Sequence, residues 1–89
     1  GEAMRLDKYL KISRIIKRRT VASEACSNHR VLLNGKLAKS SKEIKVGDEL
    51  DIIFGDKTYK FRITKIPFVN VTKSDVLDLY EIIGEKENE

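Results

Sequence analysis

The residues of this sequence that are best suited to chemistry are cations gathered in one short stretch, Ser13–Thr20. Four of its eight residues carry a positive charge: Arg14, Lys17, Arg18 and Arg19. The planar guanidinium of arginine can hold a phosphate through two parallel hydrogen bonds, whereas lysine offers a point charge. A solvated charged surface is the alternative reading, but lysine would serve solubility equally well. The stretch therefore favours binding to a polyanion.

The distribution of charge supports this interpretation more strongly than the total charge does. The chain carries 18 Lys+Arg and 14 Asp+Glu, a net +4. Residues 4–42 contain 11 cations and 2 anions, whereas residues 43–89 contain 7 cations and 11 anions. A domain with one basic and one acidic half has a directional field, which suits a polyanion docking on one side. Charge alone thus favours nucleic acid.

Residue types that serve catalysis or metal binding are sparse. Cys26 is the only cysteine, so an internal disulfide is excluded. His29 is the only histidine, and one cysteine with one histidine cannot make a zinc site. Cys26 falls on an apolar helix face, so we interpret it as a small buried residue rather than a nucleophile. Asp48, Glu49 and Asp51 follow a turn glycine, and we interpret them as loop and outer-face residues rather than an acid–base pair. We therefore expect no enzyme activity, no cofactor and no metal.

The length of 89 residues suits one small domain. No apolar run approaches the ~20 residues that a membrane span needs. We expect no signal peptide, no membrane association and a cytoplasmic protein. Residues 1–3, ahead of Met4, are expected to be an expression scar.

Two amphipathic helices are predicted to flank the cationic stretch. The first is indicated by apolar or small residues at helical spacing: Leu6, Tyr9, Leu10, Ser13 and Ile16. Lys17-Arg18-Arg19 interrupts the pattern, and Thr20 is predicted to be the N-cap of a second helix that continues to Asn28. Asn28 or His29 is expected to take the left-handed conformation that ends a helix.

Strand signals dominate the rest of the chain. Val31-Leu32-Leu33, Asn34-Gly35 and Lys36–Lys39 predict a hairpin, followed by strands over Glu49–Phe54 and Tyr59–Thr64. We interpret Tyr59 and Phe61 as sheet core rather than as a base-stacking platform. A last helix is predicted from Ser74 to Ile83, with Gly84 ending it. The predicted fold is α+β: two N-terminal helices packed on a small, mostly antiparallel sheet, with a short C-terminal helix covering an edge or face.

The order of motifs resembles the RNA-binding domain first described in ribosomal protein S-four. The matching motifs are Arg5-Leu6-Asp7-Lys8-Tyr9-Leu10, Ser13-Arg14, Lys17-Arg18-Arg19-Thr20, Arg30-Val31, Asn34-Gly35 and Val46-Gly47-Asp48. The resemblance covers Arg5 to Phe54 and implies that family's αL-type RNA-binding fold. The layout is most similar to the small stand-alone members, the RqcP and heat-shock-protein-fifteen branches. We accordingly expect an RNA-binding domain over residues 4–66, a helical extension over 67–84 and a disordered tail over 85–89.

The resemblance also implies a function. Such members bind rRNA and tRNA on a large ribosomal subunit that carries a stranded peptidyl-tRNA, in ribosome-associated quality control. A nascent-chain tailing factor is an implied partner, and we expect a monomer away from the ribosome. The alternatives are a recycling factor of the heat-shock-protein-fifteen type and a generic binder of structured RNA or tRNA. The short helix and acidic tail, in place of a long basic extension, favour the RqcP branch.

The resemblance assigns RNA contacts residue by residue. These positions are Arg5, Arg14, Lys17, Arg18, Arg19 and Thr20, with Arg30, Asn34 and Lys39 in addition. Asp7 matches the Asp of the opening motif. Because a carboxylate repels phosphate, we expect Asp7 to orient the first helix and a neighbouring cation, Arg14 or Arg18. Arg19 is expected beside the N-terminus of the second helix, where backbone N–H groups add positive potential. The alternative is that Arg19 caps the first helix's terminal carbonyls.

A helix-turn-helix that binds DNA is a competing interpretation. Its second helix would present side chains to base edges and phosphates. Here the outward face of that helix is almost free of cations: Ser23, Glu24, Ser27 and Asn28. The sequence therefore favours structured RNA over duplex DNA.

Overall fold

The chain folds into two short helices against antiparallel strands, in a computed structural model that describes residues 4–67 and 78–88. The elements in chain order are β1 (Met4–Arg5), α1 (Leu6–Ile12), α2 (Arg19–Ser27), β2 (Val31–Leu33), β3 (Lys36–Leu37), β4 (Glu43–Ile44), β5 (Glu49–Phe54), β6 (Lys57–Ile63) and β7 (Tyr80–Glu87). The α+β class with two N-terminal helices is confirmed.

Hydrogen bonding arranges the strands of the described residues in two antiparallel sheets. The larger sheet has the order β3-β2-β5-β6-β7, and the smaller pairs β1 with β4. The predicted hairpin is confirmed: Leu33 pairs with Lys36 around Asn34-Gly35, both with positive φ, as tight two-residue turns require. The larger sheet is thus built mainly from strands that follow one another in sequence.

One core joins the helices to the larger sheet. Its helical side chains are Leu6, Tyr9, Leu10, Ala22 and Cys26, and its strand side chains include Val31, Leu33, Leu50, Ile52, Phe61 and Ile63. Burial of Phe61 and packing of the half-buried Tyr59 against the core confirm the interpretation of both as sheet core. The Tyr9 hydroxyl donates a hydrogen bond of 2.6 Å to the carbonyl of Leu79, which ties α1 to the segment before β7. Burial, and to a lesser degree the neighbouring Tyr80, raise the pKa of Tyr9.

The predicted C-terminal helix is wrong where the structure describes it. Residues 80–83 belong to β7, and Ser74–Leu77 lie outside the described residues. The β-branched pair Ile82-Ile83 favours a strand, and β6 has an edge that needs hydrogen-bonding partners. Gly84 does not end an element but pairs with Lys60, where a Cβ would approach the Lys60 Cβ to 3.4 Å. Residues 85–87, predicted to be disordered, continue the strand.

The helix boundaries around the cationic stretch also differ from those predicted. The first helix ends at Ile12, and Arg14 takes a left-handed conformation with φ of 62°. The second helix begins at Arg19, and the extended residue Arg18 occupies the N-cap position without a side-chain cap. The prediction of Thr20 as N-cap is therefore wrong, because the helical turn starts one residue earlier. His29, with φ of 61°, confirms the expected left-handed end of α2.

Candidate functional site

The segment between α1 and α2, residues 13–18, is fixed by two inward-facing residues. Ser13 is fully buried and its hydroxyl donates to the Leu10 carbonyl at 3.2 Å. Ile16 is buried in the core, and its backbone N–H donates to the same carbonyl at 3.1 Å. These anchors leave Arg14, Lys17 and Arg18 exposed. The predicted helix–helix junction, with its cations facing solvent, is thus present.

A buried carboxylate stands at the centre of the site. The side chain of Asp7 is 4% exposed and accepts hydrogen bonds from two guanidinium groups. Arg5 donates from Nε and Nη2, both at 3.2 Å, and Arg19 donates from Nη2 at 3.4 Å. The Ser23 hydroxyl donates at 3.3 Å, and the backbone N–H of Lys8 at 2.7 Å. We call Asp7 with Arg5, Arg19 and Ser23 the Asp7 clamp, because it joins both helices.

The clamp keeps Asp7 ionised. Burial by itself would raise the pKa of Asp7, but hydrogen bonds from Arg5, Arg19 and the Lys8 backbone outweigh it and lower the pKa below its usual value. The arginine side chains remain about half exposed, at 51% for Arg5 and 48% for Arg19. A guanidinium has five N–H donors, so each has donors left for a phosphate. The carboxylate therefore holds two arginines in place without occupying all of their N–H donors.

The remaining cations of the junction are not neutralised. Within residues 4–67 and 78–88, the structure gives no ion pair to Arg14, Lys17 or Arg18. Together with the half-exposed clamp arginines, they make five cations: Arg5 from β1, Arg19 from the start of α2, and three from the segment between the helices. We refer to Arg5, Arg14, Lys17, Arg18 and Arg19 as the cationic junction.

The loop after β3 lies against this surface. Its Ser40 carbonyl accepts a hydrogen bond from the backbone N–H of Asp7 at 3.0 Å, and its Lys42 carbonyl accepts one from Leu6 at 2.8 Å. The predicted contact Lys39 is exposed in the same loop, directly before Ser40 in sequence. Sequence reasoning did not assign Lys42 or Ser23, because both come near Asp7 only through tertiary contacts.

The other predicted contacts are more dispersed. Thr20 is exposed in the first turn of α2, and Arg30 is exposed just before β2. Asn34 is engaged within the protein: its Nδ2 donates to Asp48 Oδ1 at 3.1 Å, and its Oδ1 accepts from the Glu49 N–H at 2.9 Å. Its side chain thus braces the turn before β5.

Two expectations about acidic residues need correction. Asp7 was expected to orient Arg14 or Arg18, but it binds Arg5 and Arg19, because the left-handed turn at Arg14 ends α1 before those side chains reach it. Asp48 was expected on the outer face, but it is buried and accepts the Lys45 N–H at 2.9 Å.

Other chemistry finds little support. Cys26 is buried as predicted, and burial, aided by the charge of Asp7, raises its pKa to about 11, so the thiol is protonated at neutral pH. Within the described residues, no three His, Cys, Asp or Glu side chains form a group that could hold a metal ion. In the same part of the chain, no helix is long and apolar enough to cross a membrane.

Comparisons with known proteins agree with this geometry. A model of the S4 domain family matches residues 4–50. The RQC P-site tRNA stabilizing factor of Streptococcus pneumoniae is 50% identical over 82 residues, 92% of each chain. The protein of the same name from Halalkalibacterium halodurans is 47% identical over 83 residues, 93% of each chain. Among solved structures, the trimeric heat shock protein 15 of Vibrio cholerae superposes with a TM-score of 0.83 at 29% identity, over 92% of this chain and 83% of that one.

Proposed function

Because this chain belongs to the S4 domain family, and within it to the RQC P-site tRNA stabilizing factors, we propose that it binds and stabilises a tRNA in the P site during ribosome-associated quality control. Its ligands are the rRNA and tRNA of a large ribosomal subunit that carries a stranded peptidyl-tRNA. The role is binding rather than catalysis.

The Asp7 clamp is the observation that carries this proposal. One carboxylate holds Arg5 from β1 and Arg19 from α2, and both guanidinium groups stay about half exposed. The segment between the helices adds Arg14, Lys17 and Arg18, which have no ion pair among the described residues. Arginines fixed before binding lose less side-chain freedom when they bind, so more of the interaction energy appears as affinity. A surface with five positioned cations suits a backbone that carries a phosphate at every nucleotide.

The same surface predicts how RNA is recognised. Folded RNA hides its base edges in a deep and narrow major groove, so a cationic surface reads phosphate spacing and shape. Affinity for RNA should therefore depend strongly on salt and weakly on sequence. We assign phosphate contacts to the cationic junction, to Lys39 in the adjoining loop and to Thr20 and Arg30 at its margins. A nascent-chain tailing factor would then bind elsewhere on the same subunit, and the chain acts as a monomer.

The direct test is sedimentation of the tagged protein on density gradients with purified large subunits. Subunits with a peptidyl-tRNA in the P site are compared with the same subunits after the tRNA has been released. We expect co-sedimentation to be much stronger with the tRNA-bearing subunits, and to fall when salt is raised. Equal association with both subunit preparations would contradict stabilisation of a P-site tRNA, while leaving rRNA binding in place.

A recycling factor for stalled large subunits is the second candidate, favoured by the close structural match to heat shock protein 15. The two roles differ in what happens to the tRNA. A stabilising factor should slow its dissociation from the P site, whereas a recycling factor should promote its movement or release. The dissociation rate of a labelled peptidyl-tRNA, measured with and without the protein, separates the two candidates.

A further inference from the structure

An apolar groove opens beside the cationic junction, between α2, the junction and the turn from β5 to β6. Its volume is about 440 Å³, within the range of small-ligand pockets. Apolar side chains line it, among them Ile15, Val21, Ala25 and Phe54. Lys17 and Arg30 also line it, and the described residues contribute no anion to it. The groove thus combines an apolar floor with cations.

The groove exists because α2 carries more apolar surface than the core covers. Ala22 and Cys26 are buried, whereas Val21, on the same apolar arc, is 46% exposed and Ala25 is half-buried. Val21 and Ala25 are one helical turn apart and lie on one face. On the opposite side, Phe54 is 40% exposed at the end of β5. Two of the five large hydrophobic side chains that are exposed in the described residues, Val21 and Phe54, therefore line one groove.

The ring of Phe54 is held rather than free. Its centroid lies 5.8 Å from that of Tyr59, with an angle of 66° between the rings, an edge-to-face contact. The backbone beneath it is fixed as well, because the Ile53 N–H donates to the Arg30 carbonyl at 2.9 Å. The same hydrogen bond places Arg30 next to the end of β5. An aromatic ring and a cation are thereby positioned together.

We propose that this groove receives the base of an unpaired nucleotide, which lies against Phe54 while its flanking phosphates contact Lys17 and Arg30. This inference rests on the proposed RNA-binding function and extends it from phosphates to one base. Lys17 belongs to both surfaces, so an RNA strand that lies on the cationic junction passes the mouth of the groove. Apolar walls with cations at the edge match a nucleotide, which has a flat base and a charged backbone.

Two RNA hairpins of equal length provide the test, one fully paired in its stem and one with a single bulged 2-aminopurine. Low salt allows both to bind through their phosphates, so the paired hairpin measures the cationic junction alone. We expect the bulged hairpin to bind more tightly and its fluorescence to be quenched on binding. Base–aromatic stacking contributes about 1–3 kcal/mol per base, so Phe54→Ala should weaken binding of the bulged hairpin roughly 5- to 150-fold.

Control variants separate stacking from packing. Phe54→Leu keeps an apolar side chain without a ring and should also lose the quenching, whereas Phe54→Tyr should keep it. Ile82→Ala removes another exposed hydrophobic side chain, 60% exposed on β7, and should change the affinity for neither hairpin. None of these variants should alter affinity for the paired hairpin.

Each other outcome has a defined meaning. Equal affinity of the native protein for the two hairpins, with no effect of Phe54→Ala, would overturn the base site and leave the proposed function intact. Binding of neither hairpin at low salt would overturn both. If Phe54→Ala reduced association with large subunits while both hairpins bound as before, the groove would take a protein segment, and the nucleotide assignment would be wrong.

Discussion

The cationic junction and the strand β6 both carry several basic residues, but they differ in how many of these are paired with acidic side chains. All three cations of β6 pair with acids on neighbouring strands: Lys57 with Glu85 at 3.6 Å, Lys60 with Asp51 at 3.8 Å, and Arg62 with Glu49 at 3.2 Å and Glu81 at 3.7 Å. In the junction one carboxylate serves two arginines, and three further cations have no ion pair within the described residues.

Strand register explains why the cations of β6 are neutralised. Arg62 lies directly opposite Glu49 on one side and Glu81 on the other, and Lys60 lies opposite Asp51. Cross-strand neighbours of opposite charge attract at this distance, so the sheet satisfies its own charges. A helix junction has no such register, and its cations stay available. The number of basic residues in a region therefore says less about polyanion binding than the number that remain without a partner.

The largest difference between the two regions should emerge from matched arginine variants. Arg19→Ala removes a clamp arginine and should weaken association with large subunits by roughly 10- to 100-fold, as expected for loss of a charge-assisted contact. Arg62→Ala removes an arginine of similar exposure and should change association less than about threefold. Affinity is measured by sedimentation at several salt concentrations, where Arg19→Ala should also lower the salt slope by about one unit.

Thermal unfolding of the same two proteins provides the control. Arg62 and both its partners are exposed, so Arg62→Ala should cost at most about 1 kcal/mol of stability. Arg19→Ala removes a guanidinium donor from the buried Asp7 carboxylate, so it should cost about 1–3 kcal/mol without unfolding the chain. If Arg19→Ala lost stability but kept its RNA affinity, the arginine would be structural and the binding surface would lie elsewhere. Equal loss of association in both variants would remove the distinction between the two regions.

Much of this arrangement could be read from the sequence because it depends on local patterns. Helical periodicity, the Asn34-Gly35 turn and strand alternation are set by residues close in sequence, and they gave both helices and most strands. The cationic stretch Ser13–Thr20 could be predicted for the same reason, because its residues are adjacent in sequence. The position of Arg19 at the start of α2 also follows from its neighbours.

The errors arose where long-range contacts decide the outcome. The segment Tyr80–Glu87 has conflicting local signals, an apolar spacing that suits a helix and the β-branched pair Ile82-Ile83 that suits a strand, and it becomes a strand because β6 offers a hydrogen-bonding edge. Arg19 reaches Asp7 only because α2 packs against α1, and sequence spacing had favoured Arg14 or Arg18. Arg5, two residues from Asp7, is its second partner. The hydrogen bonds of Asn34 to Asp48 and Glu49 were likewise not evident from its turn position, and its contact with RNA stays a prediction.

Substitution of Asp7, the carboxylate of the clamp, should have the next largest effect after Arg19→Ala. Sequence reasoning expected Asp7→Asn to weaken RNA binding with little loss of stability. The structure suggests a larger cost, because the buried carboxylate accepts hydrogen bonds from two guanidinium groups that an amide cannot replace equally. We expect a loss of about 1–3 kcal/mol in the free energy of unfolding, measured with urea. Asp51→Asn, which alters an ion pair of the sheet, should cost well under about 1 kcal/mol. Equal losses of stability in the two variants would show that the contacts of Asp7 contribute no more than an ion pair of the sheet.

Acid sensitivity tests the same carboxylate without reference to RNA. The pKa of Asp7 is lower in the folded chain than in the unfolded chain, so its contribution to stability is complete above the unfolded pKa of about 4. That contribution is lost as the pH falls through the lower, folded pKa. Urea unfolding of the native protein should therefore show a loss of stability below about pH 4 that is reduced in Asp7→Asn. Identical pH profiles would mean that the clamp does not hold Asp7 ionised.

The smallest expected effect concerns Asn34, which separates contact with RNA from support of the fold. Its amide is occupied by Asp48 and Glu49, and its φ of 51° suits asparagine better than alanine. Asn34→Ala should cost about 1–2 kcal/mol of stability, from lost hydrogen bonds and backbone strain together. Asn34→Gly loses the same hydrogen bonds without the strain, so the difference between the two variants isolates the backbone term. Both should associate with large subunits as tightly as the native protein, since neither changes a cation. A loss of affinity in both, with stability retained, would return Asn34 to the RNA-contacting surface.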